Sequence, residues 1–313
     1  ATPQMDFLRS HQKLFIKLGS LSIMVKIAGI QMGCCRDKEK NLQKALRLAS
    51  LAVEQGGNII CFQALTGTHW FPMDINPENF QLAEEIPGPT TETFQELALR
   101  LEAVIILPLF EKDPGGAFFN SAVIIDASGE ILGKYRKVHI PQIPLWEEKA
   151  YFQPGDLGFP VFPTHFGRVG VQICWDNFFP EGSRILALKG AQIIFSPTAA
   201  AFNSQPKWEK VICANAATNG VYIFRVNRVG VEGKQSFYGK SFCANPDGEL
   251  GDQPSGSQEG VVIAEIDLKE IERTRRVWTF FRDRRPELYG ELVRNGKEFT
   301  ALPIDSEERS NHE

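Results

Sequence analysis

Short runs of apolar residues recur along the chain, each of a length typical of a buried strand. The runs are VKIAGIQM from residue 25, NIICF from 58, AVIILPL from 103, NSAVIID from 120, RVGVQIC from 168, AQIIFS from 191, VYIFRVN from 221 and VVIAEID from 261. Continuous apolar runs suit strands that are covered on both faces. We therefore expect sheets that lie mostly inside the protein.

Between several of these runs, apolar residues repeat at helical spacing. The first such segment contains Leu42, Ala45, Leu46, Ala49 and Val53, and two glycines follow it, as is common at a helix end. Similar spacing occurs at 94–101 and 208–215, and a further helix is expected from residue 180. Strands that alternate with helices predict an α/β protein. No linker or repeat divides the chain, so we expect one domain over residues 24–293, with an N-terminal extension over 1–23 and a C-terminal tail over 294–313.

The composition indicates a globular protein with a large core, since 43% of its 313 residues are hydrophobic. The formal charge is only −4, from 34 basic and 38 acidic residues, and no long basic run is present, which argues against a nucleic-acid partner. No apolar run approaches the roughly 20 residues that a membrane helix needs. Residues 1–23 lack the continuous apolar segment of a secretory signal.

The cysteine and histidine patterns bear on redox state and on metals. The six cysteines form no CxxC pair, which favours free thiols in a reducing cytoplasm. The five histidines form no HxH or HExxH pair, so we expect no metal site, and nothing in the chain implies a cofactor.

The segment GVQICWDNFFPEGSR, residues 170–184, carries the strongest chemical signal. A strand ends near Cys174, the chain turns through Trp175 and Asp176, and a helix is expected to begin near Pro180. A thiol at such a turn lies near backbone N–H groups that can stabilise an oxyanion. On position alone, the simpler interpretation is a small buried core residue.

Two further segments supply charged groups. Lys137, in YRKVHIPQ, comes after the apolar strand and the GEILGKY turn, and Glu147 and Glu148 adjoin aromatic residues in PLWEEKAYFQPGD. A lysine beside a thiolate would stabilise negative charge, and a carboxylate among aromatic rings often has a raised pKa. Each of these side chains would also be ordinary on a solvated surface.

Together these segments resemble the nitrilase superfamily of carbon–nitrogen hydrolases, and within it the N-carbamoyl amide hydrolase branch. The resemblance covers about residues 25–289 and rests on YRKVHIP, EEKAYFQPGD, GRVGVQICWDNFFPE, GAQIIFSPTA, NRVG, FYGKSF and FFRDRRPELYG. It implies a four-layer αββα sandwich and hydrolysis of a linear amide or N-carbamoyl amine with release of ammonia. It also implies that Cys174 is the nucleophile, that Lys137 stabilises the oxyanion and that Glu148 positions substrate and lysine.

One member of the implied set is missing. The family has a glutamate as general base in a pattern like FQEL at the end of the second strand, and here FQAL places Ala64 at that position. A positioned general base contributes about 100- to 10,000-fold to rate, so we expect impaired turnover. The alternative is a catalytically inactive, nitrilase-like binding protein, and the sequence does not decide whether the alanine is natural or introduced.

The resemblance leaves the substrate open. We expect Trp70, Trp146 and Trp175 to flank the pocket, and Asp176 and Glu181, with Glu147, are candidates for an acidic wall that would bind a cationic amine. The loops at 66–73 and 199–208 are expected to set specificity. Family members pair through their sandwiches, so a homodimer or larger even homo-oligomer is implied, and residues 278–289 have a composition suited to an interface.

Overall fold

The computed structural model describes residues 22–252 and 254–294. By their contacts, the described residues up to Trp278 form one compact unit, and those from Thr279 form a second, small one. The predicted extension and tail lie outside the described residues except at positions 22, 23 and 294, so those boundaries stay predictions.

Within the described residues, strands and helices alternate as the hydrophobic pattern predicts. The strands are β1 (Met24–Gln31), β2 (Ile59–Phe62), β3 (Val104–Lys112), β4 (Phe118–Ile125), β5 (Ile131–Arg136), β6 (Val161–Thr164), β7 (Gly167–Val171), β8 (Ile193–Thr198), β9 (Tyr222–Asn227), β10 (Val229–Glu232), β11 (Gln235–Tyr238), β12 (Phe242–Ala244) and β13 (Gly260–Asp267). The α-helices are α1 (Lys38–Glu54), α2 (Pro89–Leu101), α3 (Pro180–Leu188), α4 (Gln205–Asn219) and α5 (Leu268–Val277).

The strands form two large sheets and one hairpin in this part of the chain. The first sheet has the order β13-β1-β2-β3-β4-β5, the second has the order β12-β9-β8-β7-β6, and β10 pairs with β11. Pairing is parallel between β1 and β2, β2 and β3, β7 and β8, and β8 and β9. The carboxyl ends of β2 and β8 therefore lie at the interior of their sheets, where side chains are shielded from water.

The two sheets pack face to face. Gly29 in β1 shows how closely, because a Cβ there would lie 2.9 Å from Val226 Cγ2 and 3.0 Å from Phe224 Cζ, both in β9. Helices α1 and α2 cover the other face of the first sheet, where Phe62 and Phe94 meet edge to face at 5.3 Å. Full burial of each such side chain contributes about 1.5–3 kcal/mol. These layers confirm the predicted α/β sandwich.

The helix ends follow local chemistry. Asp37 caps α1 by accepting a hydrogen bond from the backbone N–H of Lys40 at 3.1 Å, and Gly56 beyond its end has φ 89°, which a side chain would disfavour. All eight predicted strands and the four predicted helices are confirmed. The sequence prediction missed β5, β6, β10, β11, β12 and α5, which are short, partly exposed or interrupted by Gly or Pro.

Candidate active site

Cys174 stands on a strained turn at the end of the second sheet. It begins a 3₁₀ turn, Cys174–Phe178, shortly after β7, and its φ of 50° lies in the left-handed region. A non-glycine residue there costs on the order of 1–3 kcal/mol, so the surrounding contacts must fix it. The Asp176 carboxylate accepts from the backbone N–H of Ile173 at 3.0 Å, and the Asn177 amide donates to the Cys174 carbonyl at 2.9 Å.

Lys137 and Glu148 form a buried ion pair. Lys137 Nζ lies 2.5 Å from Glu148 Oε2, and the two side chains are 0% and 1% exposed. Lys137 directly follows β5, where its backbone N–H donates to the carbonyl of Asn120 at 2.8 Å. Glu148 opens the short 3₁₀ turn Glu148–Ala150. The structure thus brings together two residues that the sequence assigned to one site.

The electrostatics link this pair to the thiol. Burial raises the pKa of Cys174, while the charge of Lys137 and the backbone N–H of Ala199 act to lower it. Burial also raises the pKa of Glu148, against the opposing charge of Lys137. Burial alone would lower the pKa of Lys137, but the negative charge of Glu148, and that of Cys174 when its thiol is ionised, leave it raised. The raised pKa favours the thiol over the thiolate, so Cys174 needs a proton acceptor to react.

One carboxylate oxygen of the buried Lys137–Glu148 pair has no hydrogen-bond partner among the described residues. Glu148 Oε2 is occupied by Lys137, whereas Oε1 is buried and makes no hydrogen bond within the described part of the chain. The Asn120 side chain acts to lower the pKa of Glu148. An unsatisfied buried oxygen is costly in a finished core, and Oε1 is the atom of this pair that is left to accept a proton or a hydrogen bond.

Cys174 opens into a cavity of about 370 Å³. Its wall is mainly aromatic and aliphatic, with contributions from Pro141, Ile143, Trp146, Trp175, Phe178, Ala199, Ala200, Phe202 and Trp208 and polar contributions from Asn203, Ser204 and Lys207. A second cavity of about 640 Å³ shares Ile143, Trp146 and Phe202 with the first. Pockets of this size and character suit small organic ligands. Residues from the loop 199–208 line the cavity, and none from 66–73 does.

Ala64 is buried at the end of β2. Its backbone N–H donates to the carbonyl of Thr198 at 3.4 Å, and the next residue, Ala199, both contacts the Cys174 thiol and lines the cavity. The Ala64 carbonyl accepts from Arg228 Nη2 at 2.9 Å. Position 64 is thus held beside the wall of the site, but its methyl group offers no acceptor.

The three tryptophans that were expected to flank the pocket differ in their positions. Trp146 and Trp175 line the cavity. Trp70 does not, because it is buried behind Trp146 with ring centroids 6.2 Å apart, and its indole N–H donates to the Leu145 carbonyl at 3.0 Å. Trp70 therefore supports Trp146 rather than touching a ligand.

Two of the three acidic candidates, Asp176 and Glu181, are also outside the cavity wall. The Asp176 carboxylate is buried and accepts from the Tyr135 hydroxyl at 2.7 Å, from the His139 backbone N–H at 2.9 Å and from Ile173. Glu181 is exposed in the first turn of α3, where its charge favours the helix N-terminus. Neither carboxylate forms an acidic wall, which corrects the expectation from sequence.

Other residues near the site escaped the sequence prediction. Arg225 and Arg228 lie fully buried at the end of β9, and Lys207 reaches the cavity from α4. The sequence did contain a signal for Arg225, which interrupts the apolar run VYIFRVN. A charged residue in a predicted buried strand is unusual, because charged side chains are rarely fully buried unless they are paired.

Comparisons with known proteins agree with this geometry. A family model described as carbon–nitrogen hydrolase matches residues 26–276. The N-carbamoylputrescine amidase of Solanum lycopersicum is 40% identical over 286 residues, covering 86% of this chain and 95% of that protein. The crystal structure of a carbon–nitrogen hydrolase from Helicobacter pylori G27 aligns with TM-score 0.83 at 36% identity, covering 87% of this chain and 99% of that one.

A third comparison concerns a protein variant. A solved glutamate-to-leucine mutant of the amidase from Nesterenkonia sp. AN1 aligns with TM-score 0.74 at 25% identity, covering 87% of this chain and 98% of that one. Its structure shows covalent addition of the acetamide moiety of fluoroacetamide at the active site cysteine. In that amidase, the cysteine therefore still forms a covalent bond after a glutamate is lost.

Proposed function

The chain belongs to the carbon–nitrogen hydrolase family, and from that membership we propose that it is a cysteine-dependent amidohydrolase for a linear amide or N-carbamoyl amine, impaired by the alanine at position 64. The carrying observation is the buried Lys137–Glu148 pair acting on the Cys174 thiol at the wall of a small cavity. The N-carbamoyl substrate class is supported by the tomato relative.

The proposed reaction has two steps. Cys174 Sγ attacks the carbonyl carbon, the C–N bond breaks, and ammonia leaves with the proton released by the thiol. Water then cleaves the thioester or thiocarbamate, which restores the thiol and yields a carboxylic acid or, from an N-carbamoyl amine, carbon dioxide and the free amine. The Lys137 ammonium stabilises the negative oxygen that forms in both steps.

Each step requires a base that accepts a proton. Because burial raises the pKa of Cys174, little thiolate is present without one. Glu148 Oε1 is the free carboxylate oxygen among the described groups at the site, but its partner oxygen is committed to Lys137. The fluoroacetamide adduct of the Nesterenkonia variant supports a nucleophile that keeps some reactivity without a glutamate.

Restoring the carboxylate tests the proposal. The Ala64→Glu variant should release ammonia from N-carbamoylputrescine or a linear amide about 100- to 10,000-fold faster than the native chain. Ala64→Gln is the matched control, since it fills the same space without a base and should give no such gain. Adding Cys174→Ala to the Ala64→Glu variant should abolish the release. Equal rates for Ala64→Glu and Ala64→Gln would refute the proposed base position.

A non-catalytic binding protein is the second candidate, and Ala64 is the observation in its favour. It predicts that ligands bind the cavity and that no substitution at position 64 produces turnover.

The assembly and location remain part of the proposal. We expect a homodimer or larger even homo-oligomer in the cytoplasm, and a mass from light scattering equal to one chain would exclude the oligomer. Among the described residues, no helix is both long and apolar enough to cross a membrane.

A further inference from the structure

Cationic side chains line the two cavities beside Cys174. Lys207 lines the cavity that contains the thiol, and Lys234 lines the adjoining one. Both are exposed at the cavity rim, and among residues 22–252 and 254–294 neither forms an ion pair with a carboxylate. Two unneutralised ammonium groups thus face the space into which the rest of a substrate would extend.

The position of Lys207 strengthens this observation. It lies in the first turn of the 15-residue helix α4, where the helix dipole favours negative charge. A lysine there works against the dipole, so its charge is not explained by helix stability. Pro206 has no N–H, and the N–H groups of Lys207 and Trp208 donate to the Ser204 carbonyl at 3.0 and 3.1 Å, so the Lys207 ammonium is the group of this turn that favours an anion at the cavity.

Arg225 adds a buried positive charge behind the same wall. Its guanidinium lies 4.8 Å from the ring centroid of Trp208 and donates to the Tyr238 hydroxyl at 3.0 Å, and both of those residues line the cavities. The side chain is fully buried, its Nε makes no hydrogen bond, and no carboxylate forms an ion pair with it among the described residues. Its charge reaches Cys174, whose pKa it acts to lower.

Negative charge is absent from the described lining. The residues around both cavities include no Asp or Glu. Three acids directly follow lining tryptophans in sequence: Asp176 accepts from Tyr135 and His139, and Glu147 and Glu209 are bonded to Gln142 and Gln205 respectively. An acidic wall for an amine is therefore missing, and the local field favours the opposite charge.

We propose that the cavity accepts an N-carbamoyl or amide substrate whose far end carries a carboxylate, held by Lys207 and Lys234, and that it disfavours a cationic amine tail. The inference rests on the proposed function for the reacting end of the substrate, but the charge preference follows from the cavity wall alone. It differs from the activity named for the tomato relative, whose substrate ends in an amine.

Alkylation of Cys174 in the native chain tests the charge preference without any turnover. Iodoacetate and iodoacetamide differ in charge but react alike: a C–S bond forms, the C–I bond breaks, iodide leaves and the thiol proton passes to solvent. The quantity measured is the rate with iodoacetate divided by the rate with iodoacetamide at Cys174, read by peptide mass spectrometry. This ratio should fall about two- to fivefold in Lys207→Met or Lys234→Met. Lys210→Met is the matched control, since Lys210 lies on the same helix and lines neither cavity.

The same ratio at the exposed Cys35 is an internal reference and should not change in any variant. A Cys174 ratio that is unaffected by both lysine substitutions, or that falls equally with Lys210→Met, would overturn the proposal.

A substrate series gives the second test. In the Ala64→Glu variant, 5-ureidopentanoate, pentylurea and N-carbamoylputrescine present carboxylate, neutral and ammonium ends on matched carbon chains. We expect the kcat/KM for ammonia release to be highest for 5-ureidopentanoate and lowest for N-carbamoylputrescine. Adding Lys207→Met should reduce the difference in kcat/KM between these two substrates. A preference for N-carbamoylputrescine would overturn the charge assignment and leave the proposed hydrolysis standing. Failure of all three would count against the proposed function, and the alkylation ratios would still decide the charge preference.

Discussion

Among the described residues, two of the buried ion pairs have different surroundings. Arg228 Nη1 lies 2.7 Å from Glu232 Oε1, and the two side chains are 0% and 3% exposed. This pair is about as buried as the Lys137–Glu148 pair. Arg228 also donates to the carbonyls of Ala64, Leu65 and Thr68. Both Glu232 oxygens accept further backbone N–H groups, from Cys34 at 3.0 Å and Trp70 at 2.6 Å.

The contrast distinguishes a pair that holds the fold from a pair available for chemistry. Glu232 has no free oxygen, whereas Glu148 keeps Oε1 open and its lysine acts on a thiol beside a cavity. The Arg228 pair also fixes the backbone of position 64 whatever side chain stands there. A glutamate introduced at that position would therefore start from a backbone that is already placed, which is why the Ala64→Glu test is informative.

The largest expected effect separates the two pairs by stability. Arg228→Met leaves Glu232 buried without its partner and should lower the free energy of unfolding by about 3–5 kcal/mol. Lys137→Met should cost less, because the pKa of Glu148 is already raised and the carboxyl can take up a proton. Denaturant unfolding of both variants measures the difference, and equal losses would remove the distinction.

The pH dependence of Lys137→Met follows from the same shift. A carboxyl whose folded-state pKa is raised above the unfolded value stabilises the fold at low pH, and that contribution is lost as pH rises through the folded pKa. The Lys137→Met variant should therefore regain stability relative to the native chain as pH falls toward the ordinary carboxyl range, about 4.3. A constant difference across pH would show that Glu148 does not take up the proton.

A smaller effect concerns the thiol. Because burial raises the pKa of Cys174, its alkylation by iodoacetamide should still rise with pH above about 8.5, where an ordinary thiol levels off. Lys137→Met should move this rise to higher pH, since the lysine charge lowers the Cys174 pKa. Arg228→Lys, which keeps the charge of the other pair, should leave the profile unchanged. A native profile that levels off below pH 8.5 would contradict the raised pKa.

The sequence predicted the parts of the molecule whose signals are local. Eight apolar runs became strands, and the sequence motifs shared with the nitrilase superfamily grouped Cys174, Lys137 and Glu148, of which the latter two form an ion pair that acts on the thiol. Side-chain direction was not predictable. Asp176 adjoins the nucleophile in sequence, yet its carboxylate turns inward to Tyr135 and His139.

The charge of the cavity also depends on tertiary contacts. Lys207 and Lys234 come from a helix and from a hairpin, and no sequence spacing relates them. The same holds for Arg228, which bonds residues more than 160 positions away. Such groups are assembled by the packing of the two sheets, so only the structure reveals the positive wall that replaces the expected acidic one.

The most direct measurement is the site of covalent reaction with fluoroacetamide in the native chain, mapped by peptide mass spectrometry. Carbon-bound fluoride is a poor leaving group, so an unassisted thiol reacts little, and an adduct reports activation by its surroundings. The account predicts one adduct, on Cys174, that is lost in Lys137→Met. An adduct on Cys35 or Cys213 with Cys174 unmodified, or labelling of Cys174 that does not depend on Lys137, would contradict it.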